Sequence, residues 1–122
     1  MHRIKLSEVN HNASLLTQSV LQASQMLGLY HAELARVLRL QCADIGDLAN
    51  AKSVLTINTV AWIQAEKFIM LFEGLYVKFQ GNEALMCNWL RKQNSLLQGV
   101  PLYLIVDDGR IDECLSVIMK SN

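Results

Sequence analysis

This sequence has little of what chemistry usually needs. It contains one proline, Pro101, and six glycines scattered singly, so no glycine-rich loop exists to cradle a phosphate. The three cysteines, Cys42, Cys87 and Cys114, are odd in number and far apart. Without a CxxC pair, neither a disulfide framework nor a zinc ribbon is supported, and reduced, mostly buried thiols are expected. The histidines His2, His11 and His31 all lie in the N-terminal third. No Cys–His or Ser–His pairing follows from helical spacing, and HExxH is absent, so the chain is read as a non-enzyme with no metal and no cofactor. Apolar windows such as FIMLF and PLYLIV are interrupted by charge well before the ~18 residues of a membrane span. The opening MHRIKLSEVNHN has no apolar signal-peptide core, so a cytoplasmic protein without a membrane partner is expected.

An excess of charge of either sign is also missing, since Lys plus Arg and Asp plus Glu number 11 each. That argues against a strongly basic nucleic-acid binder and against a polybasic membrane anchor. What the chain does have is apolar material, 52% of its 122 residues, slightly above the usual ~45–50%. This length makes one compact unit or two small lobes. The apolar excess fits either a well-packed helical core or apolar surface kept for another chain.

The spacing predicts helices throughout. Ser14 is placed as the cap of a first helix running to about Leu27, with Leu15, Leu16, Val20, Ala23, Met26 and Leu27 on its apolar face and Gly28 as its stop. A second helix over about 30–38 carries Leu34, Ala35 and Leu38, and a short third over about 43–51 carries Ile45 and Leu48. From Ser53 apolar residues recur at Ile57, Val60, Ala61, Ala65, Phe68, Ile69, Phe72, Leu75, Tyr76 and Phe79, a long helix ending at Gly81. Asn82 is the cap of the next helix, whose expected buried residues are Leu85, Met86, Trp89 and Leu90. Trp89 reads as core, whereas Trp62 is the candidate interface anchor. Pro101 suits the first turn of a short helix, Asp107-Asp108-Gly109 a turn, and Ile111, Leu115 and Ile118 the core face of the last helix. Glu66 and Glu73 are explained by a solvated face. The chain is therefore expected to be all-α.

Residues 23–48, ASQMLGLYHAELARVLRLQCADIGDL, place three short helices in sequence, the pattern of a helix-turn-helix. Residues 42–50 would then be the recognition helix. Base reading needs Arg, Lys, Asn or Gln near its start, and this segment offers Asp44 and Asp47 instead. Arg36, Arg39 and Lys52 are the only nearby cations and hence the candidates for DNA contact.

The stretch NWLRKQNSLLQGVPLYLI at 88–105 has a different logic. Trp89-Leu90 closes a helix onto the core, Asn94 caps and turns the chain, and Leu96-Leu97 staple the turn. Gly99 bends the backbone, and Pro101 opens the next helix with no donor wasted.

The segment from Gly81 to Lys120, which contains this stretch, resembles the C-terminal toxin-binding domain of the Xre/MbcA/ParS antitoxin family. The matching positions are Gly81, Ala84, Trp89, Leu90, Asn94, Leu97, Gly99, Pro101, Leu102, Ile105, Gly109, Val117 and Ile118. Upstream, LGLYHAELARVL is similar to the family's helix-turn-helix, and Val60, Ala65 and Phe68 fall on its long connecting helix. The resemblance spans about residues 20–120. It implies an Xre-like helix-turn-helix region over 1–52 and a toxin-binding helical domain over 53–122. It further implies an antitoxin of a type II pair that sterically occludes the active site of a cognate NAD-targeting toxin, RES-domain or ADP-ribosyltransferase-like, and that forms a homodimer. On this resemblance Tyr103, Asp107, Arg110 and Glu113 form the polar rim toward the toxin, and Lys120, Ser121 and Asn122 reach its cleft. An Xre-like DNA-binding regulator and a stand-alone helical interaction module are the alternatives.

Overall fold

The structure, a computed structural model, describes residues 4–121. Among these residues there are eight helices and no strand. They are α1 (Leu6–Val9), α2 (Ala13–Met26), α3 (His31–Leu38), α4 (Cys42–Ala49), α5 (Val60–Lys78), α6 (Glu83–Arg91), α7 (Pro101–Val106) and α8 (Ile111–Ser121). The all-α expectation holds, including for LYLIV, which lies in α7. No helix among the described residues is long and apolar enough to cross a membrane.

The helix starts follow from short polar side chains satisfying orphan amides. Asn12, rather than Ser14, caps α2: its Oδ1 accepts the Leu15 N–H at 3.1 Å, and Ser14 falls inside the first turn. This register leaves Leu15 exposed, while Leu16, Val20, Ala23 and Leu27 face the core. In α3 and α4 an acid in the first turn reaches back, Glu33 to the Tyr30 N–H at 2.8 Å and Asp44 to the Gln41 N–H at 2.9 Å. Asn82 caps α6 as its position predicts, accepting the Leu85 N–H at 3.1 Å.

The long helix begins later than the apolar pattern implies. Thr59 is its cap, with Oγ1 accepting from the Trp62 N–H at 3.2 Å and donating to the Thr56 carbonyl at 2.6 Å. Ile57 and Val60 therefore stay exposed. Leu55 instead pins the preceding segment: its side chain is buried, and its N–H donates to Thr17 Oγ1 at 2.9 Å. Once started, α5 is buried on several sides through Ala61, Trp62, Ala65, Phe68, Ile69, Leu71, Phe72 and Leu75. A helix apolar nearly all round must sit among others, and α5 packs against α1, α2, α3, α6 and α8. The buried Gln64 amide donates to the Val37 carbonyl at 3.1 Å, a polar tie between α5 and α3.

One apolar core runs from Ile4 to Ile118. Its two tryptophans exchange the roles their neighbours imply. Trp62 is 6% exposed and belongs to the core, whereas Trp89 is only partly buried at the core's edge. Helix α6 carries two adjacent i, i+4 stripes, Leu85–Trp89 and Met86–Leu90, and its nine residues turn only one inward. Met86 and Leu90 are fully buried, and Leu85 is exposed. Glu73 is a further correction: its carboxylate accepts the Leu6 N–H and docks α1 onto α5, so it is no solvated residue. The thiols are also less buried than expected, since only Cys114 is enclosed, with Cys42 exposed and Cys87 intermediate.

The turn between α6 and α7 forms largely as expected. Asn94 Oδ1 accepts the N–H groups of Leu96 at 3.0 Å and Leu97 at 3.2 Å, and the Asn94 and Gly99 backbones pair with each other. Leu97 is buried, but Leu96 is 77% exposed and does not staple the turn. The bend falls to Gln98, at φ 54°, not to Gly99. Gly99 is needed for space, because a Cβ there would stand 3.1–3.3 Å from the Leu104 side chain. Pro101 takes the first turn of α7.

Candidate functional site

The residues expected to face a partner sit where α7 turns into α8. Gly109, at φ 67°, makes the turn, and the Arg110 N–H donates to the Leu104 carbonyl at 2.9 Å to close it. Ile111 beyond it is buried, so the corner is fixed from below while its polar groups stand outward. Tyr103 is 59% exposed on α7, and Asp107 follows one turn later as that helix's C-terminal cap. A carboxylate at a helix C-terminus is unfavourable by itself. Here Arg36 of α3 offsets it, with its Nη1 3.0 Å from Asp107 Oδ1.

Arg110 and Glu113 form a second pair. The guanidinium donates from Nε to Oε1 at 2.9 Å and from Nη2 to Oε2 at 2.5 Å, a two-pronged fork. The hydrogen bond from Arg110 holds the Glu113 carboxyl below the usual 4.5, and the same bond raises the Arg110 guanidinium. Both side chains are in water, so the pair sets geometry and charge pattern more than stability. Beneath them burial pushes the Cys114 thiol up to about 11, which keeps it protonated near neutral pH. A third pair, Lys67 to Asp112 at 3.0 Å, fastens α8 to α5.

The corner thus brings together Tyr103, Asp107, Arg110 and Glu113. Arg36 and Arg39, expected as DNA contacts, belong to the same neighbourhood: a Cβ on Gly109 would stand 3.6 Å from Arg39 Nη2. Lys52 is exposed in the segment after α4. Arg39 adopts the left-handed conformation at the end of α3, φ 59°, and with Asp44 borders a groove of about 370 Å³ against the start of α5. In charge this is a mixed surface, because Arg36 is paired and Asp44 caps the helix that would enter a groove of DNA. Lys120 is exposed in the last turn of α8, Ser121 ends that helix, and Asn122 lies outside the described residues. Among the described residues no three His, Cys, Asp or Glu side chains converge as metal ligands would.

The sequence pattern hides a second feature. Trp89 stands between two hollows of about 320 and 290 Å³, and it lines both together with Gln93 and Asn94. The available signal was the doubled apolar stripe of α6, more apolar surface than a short helix can bury in one direction. Compared with protein-family models and with curated proteins, the chain matches none.

Proposed function

We propose that this chain is the antitoxin of a type II toxin–antitoxin pair. It performs no chemistry of its own. As a cytoplasmic homodimer it binds a cognate NAD-targeting toxin, RES-domain or ADP-ribosyltransferase-like, and covers that toxin's active-site cleft. On this reading residues 1–52 are an Xre-like helix-turn-helix region and 53–122 the toxin-binding domain.

The observation that carries the proposal is the α6–α7–α8 platform. Asn94, Leu97, Gly99, Pro101 and Gly109, which carry the family resemblance, are also the residues that hold this platform's turns and helix starts. Its corner carries the paired charges Asp107, Arg110 and Glu113 and, on the preceding helix, an exposed tyrosine, residue types suited to a polar interface rim beside an aromatic contact. Lys120, in the last turn of α8, supplies a cation for a pocket built to take a negatively charged dinucleotide. DNA contact by Arg36, Arg39 and Lys52 is left outside the proposal, because Arg36 is paired and α4 opens with a capping carboxylate.

The test is growth. Cells expressing the adjacent open reading frame alone are expected to stop dividing, and co-expression of this chain restores growth and yields a stable complex on purification. A variant ending at Met119 separates the two contacts: loss of rescue assigns the inhibition to the tail, and retained rescue assigns it to the corner. An adjacent product that is harmless and does not co-purify overturns the antitoxin reading.

A further inference from the structure

Helix α6, the end of α5, the 93–96 turn and α8 converge on Trp89. The indole is partly buried with no hydrogen bond to its N–H among the described residues, and the exposed side chains of Leu85 and Leu96 lie beside the two hollows it divides. Phe79 floors one hollow and Val117 the other. An aromatic anchor between two small concavities, flanked by exposed leucines, is how a surface takes up an apolar stripe from another chain.

The charge around it has one sign. Lys78 borders the Val117 hollow and Lys92 the Phe79 hollow, and no carboxylate lines either. Neither lysine is in an ion pair among the described residues; Lys78 sits over the Phe79 ring, 5.7 Å from its centroid. The nearest acids along the same elements are turned away or already engaged. Glu83 shares the Cys87 side of α6, where burial raises that thiol's pKa and the Glu83 charge adds a smaller push in the same direction. Glu73 is bonded to the Leu6 N–H, and Glu113 to Arg110. Lys120, one turn after Val117 on α8, adds a third cation to that side. In a chain whose charges balance overall, a surface whose only charged lining residues are lysines selects for negative charge.

We propose that the Trp89 surface docks a helical segment of a partner protein that carries carboxylates beside an apolar stripe. The apolar stripe lies over Trp89 and Leu96, and its carboxylates meet Lys78 and Lys92. The partner need not be a toxin, and the test uses none.

The probe is a fluorescein-labelled amphipathic peptide with Leu and Phe on one face and Glu on the flanks; its counterpart has Lys at every Glu position. Titrated with the full chain and read by anisotropy, the Glu peptide is expected to bind at least about tenfold more tightly than the Lys peptide. Lys78→Glu combined with Lys92→Glu, both away from the core, is expected to reverse that order while leaving the helical circular dichroism unchanged. Binding of neither peptide, or a preference that the double charge reversal does not move, overturns the proposal. So does self-association of the chain that blocks the peptide, since a second copy would then be the occupant.

Discussion

Arg110 and Glu113 illustrate how a residue-level contact becomes measurable without contributing much to the fold. The fork between them depresses the carboxyl pKa because the charged form accepts two hydrogen bonds that the protonated form loses. A carboxyl whose folded pKa lies below its unfolded value adds stability that is fully present above the unfolded value. That contribution is lost as pH falls through the folded one. The expected outcome is a Glu113 side chain that titrates below 4.5 by carbon-detected NMR, and an Arg110→Gln variant in which it returns toward 4.5. A Glu113 midpoint unchanged by that substitution would show that the fork does not persist in solution. The pair was legible in sequence only as two candidate residues. Their i, i+3 contact required α8 to begin immediately after Arg110.

Among the elements, α5 and α6 show where apolar spacing suffices and where it fails. In α5 most periodic positions are buried, because five other helices cover it and nearly every face is a core face. In α6 the same kind of spacing leaves two possible stripes, and the one containing the larger side chain is turned toward the edge. The consequence is an asymmetry between the tryptophans. Trp62→Ala is expected to cost ~3–5 kcal/mol, as for other buried aromatics. Trp89→Ala removes a ring that is only partly withdrawn from water and is expected to cost about 1–2 kcal/mol. Urea denaturation of the two variants checks this, and equal costs would mean that α6 packs in the other register. Helix α6 is also held by a contact that no periodicity announces. Arg91 donates to the carbonyls of Leu27 and Gly28, each at 2.9 Å, placing a cation at the C-terminal end of α2.

For the whole molecule, the relevant fact is that one apolar core crosses from the N-terminal helices to the last one. α5 packs against α2 and α3 as well as against α8, and α3 also packs on α7. The polar ties cross the chain in the same way, Thr17 to Leu55, Gln64 to Val37 and Arg36 to Asp107. Unfolding is therefore expected to be a single cooperative transition. Two single-tryptophan proteins, Trp62→Phe and Trp89→Phe, report on different regions; in each, the fluorescence transition should coincide with that protein's own loss of helical circular dichroism. Separated transitions within one protein would mean that the molecule does not unfold in a single step.

Local chemistry was written in the sequence: helix content from apolar recurrence, the Asn82 cap, the Asn94 turn, Pro101 at a helix start and Gly109 at the corner. Each of these depends on groups a few residues apart, and the backbone geometry that satisfies them is nearly the same in any fold. Tertiary structure decided which of two stripes on α6 faces inward, whether Glu73 meets water or the Leu6 amide, and that Arg36 meets Asp107. Those outcomes depend on which other elements compete for the same apolar face or the same charge. That competition is between residues far apart in the chain, and only the packed molecule brings them together.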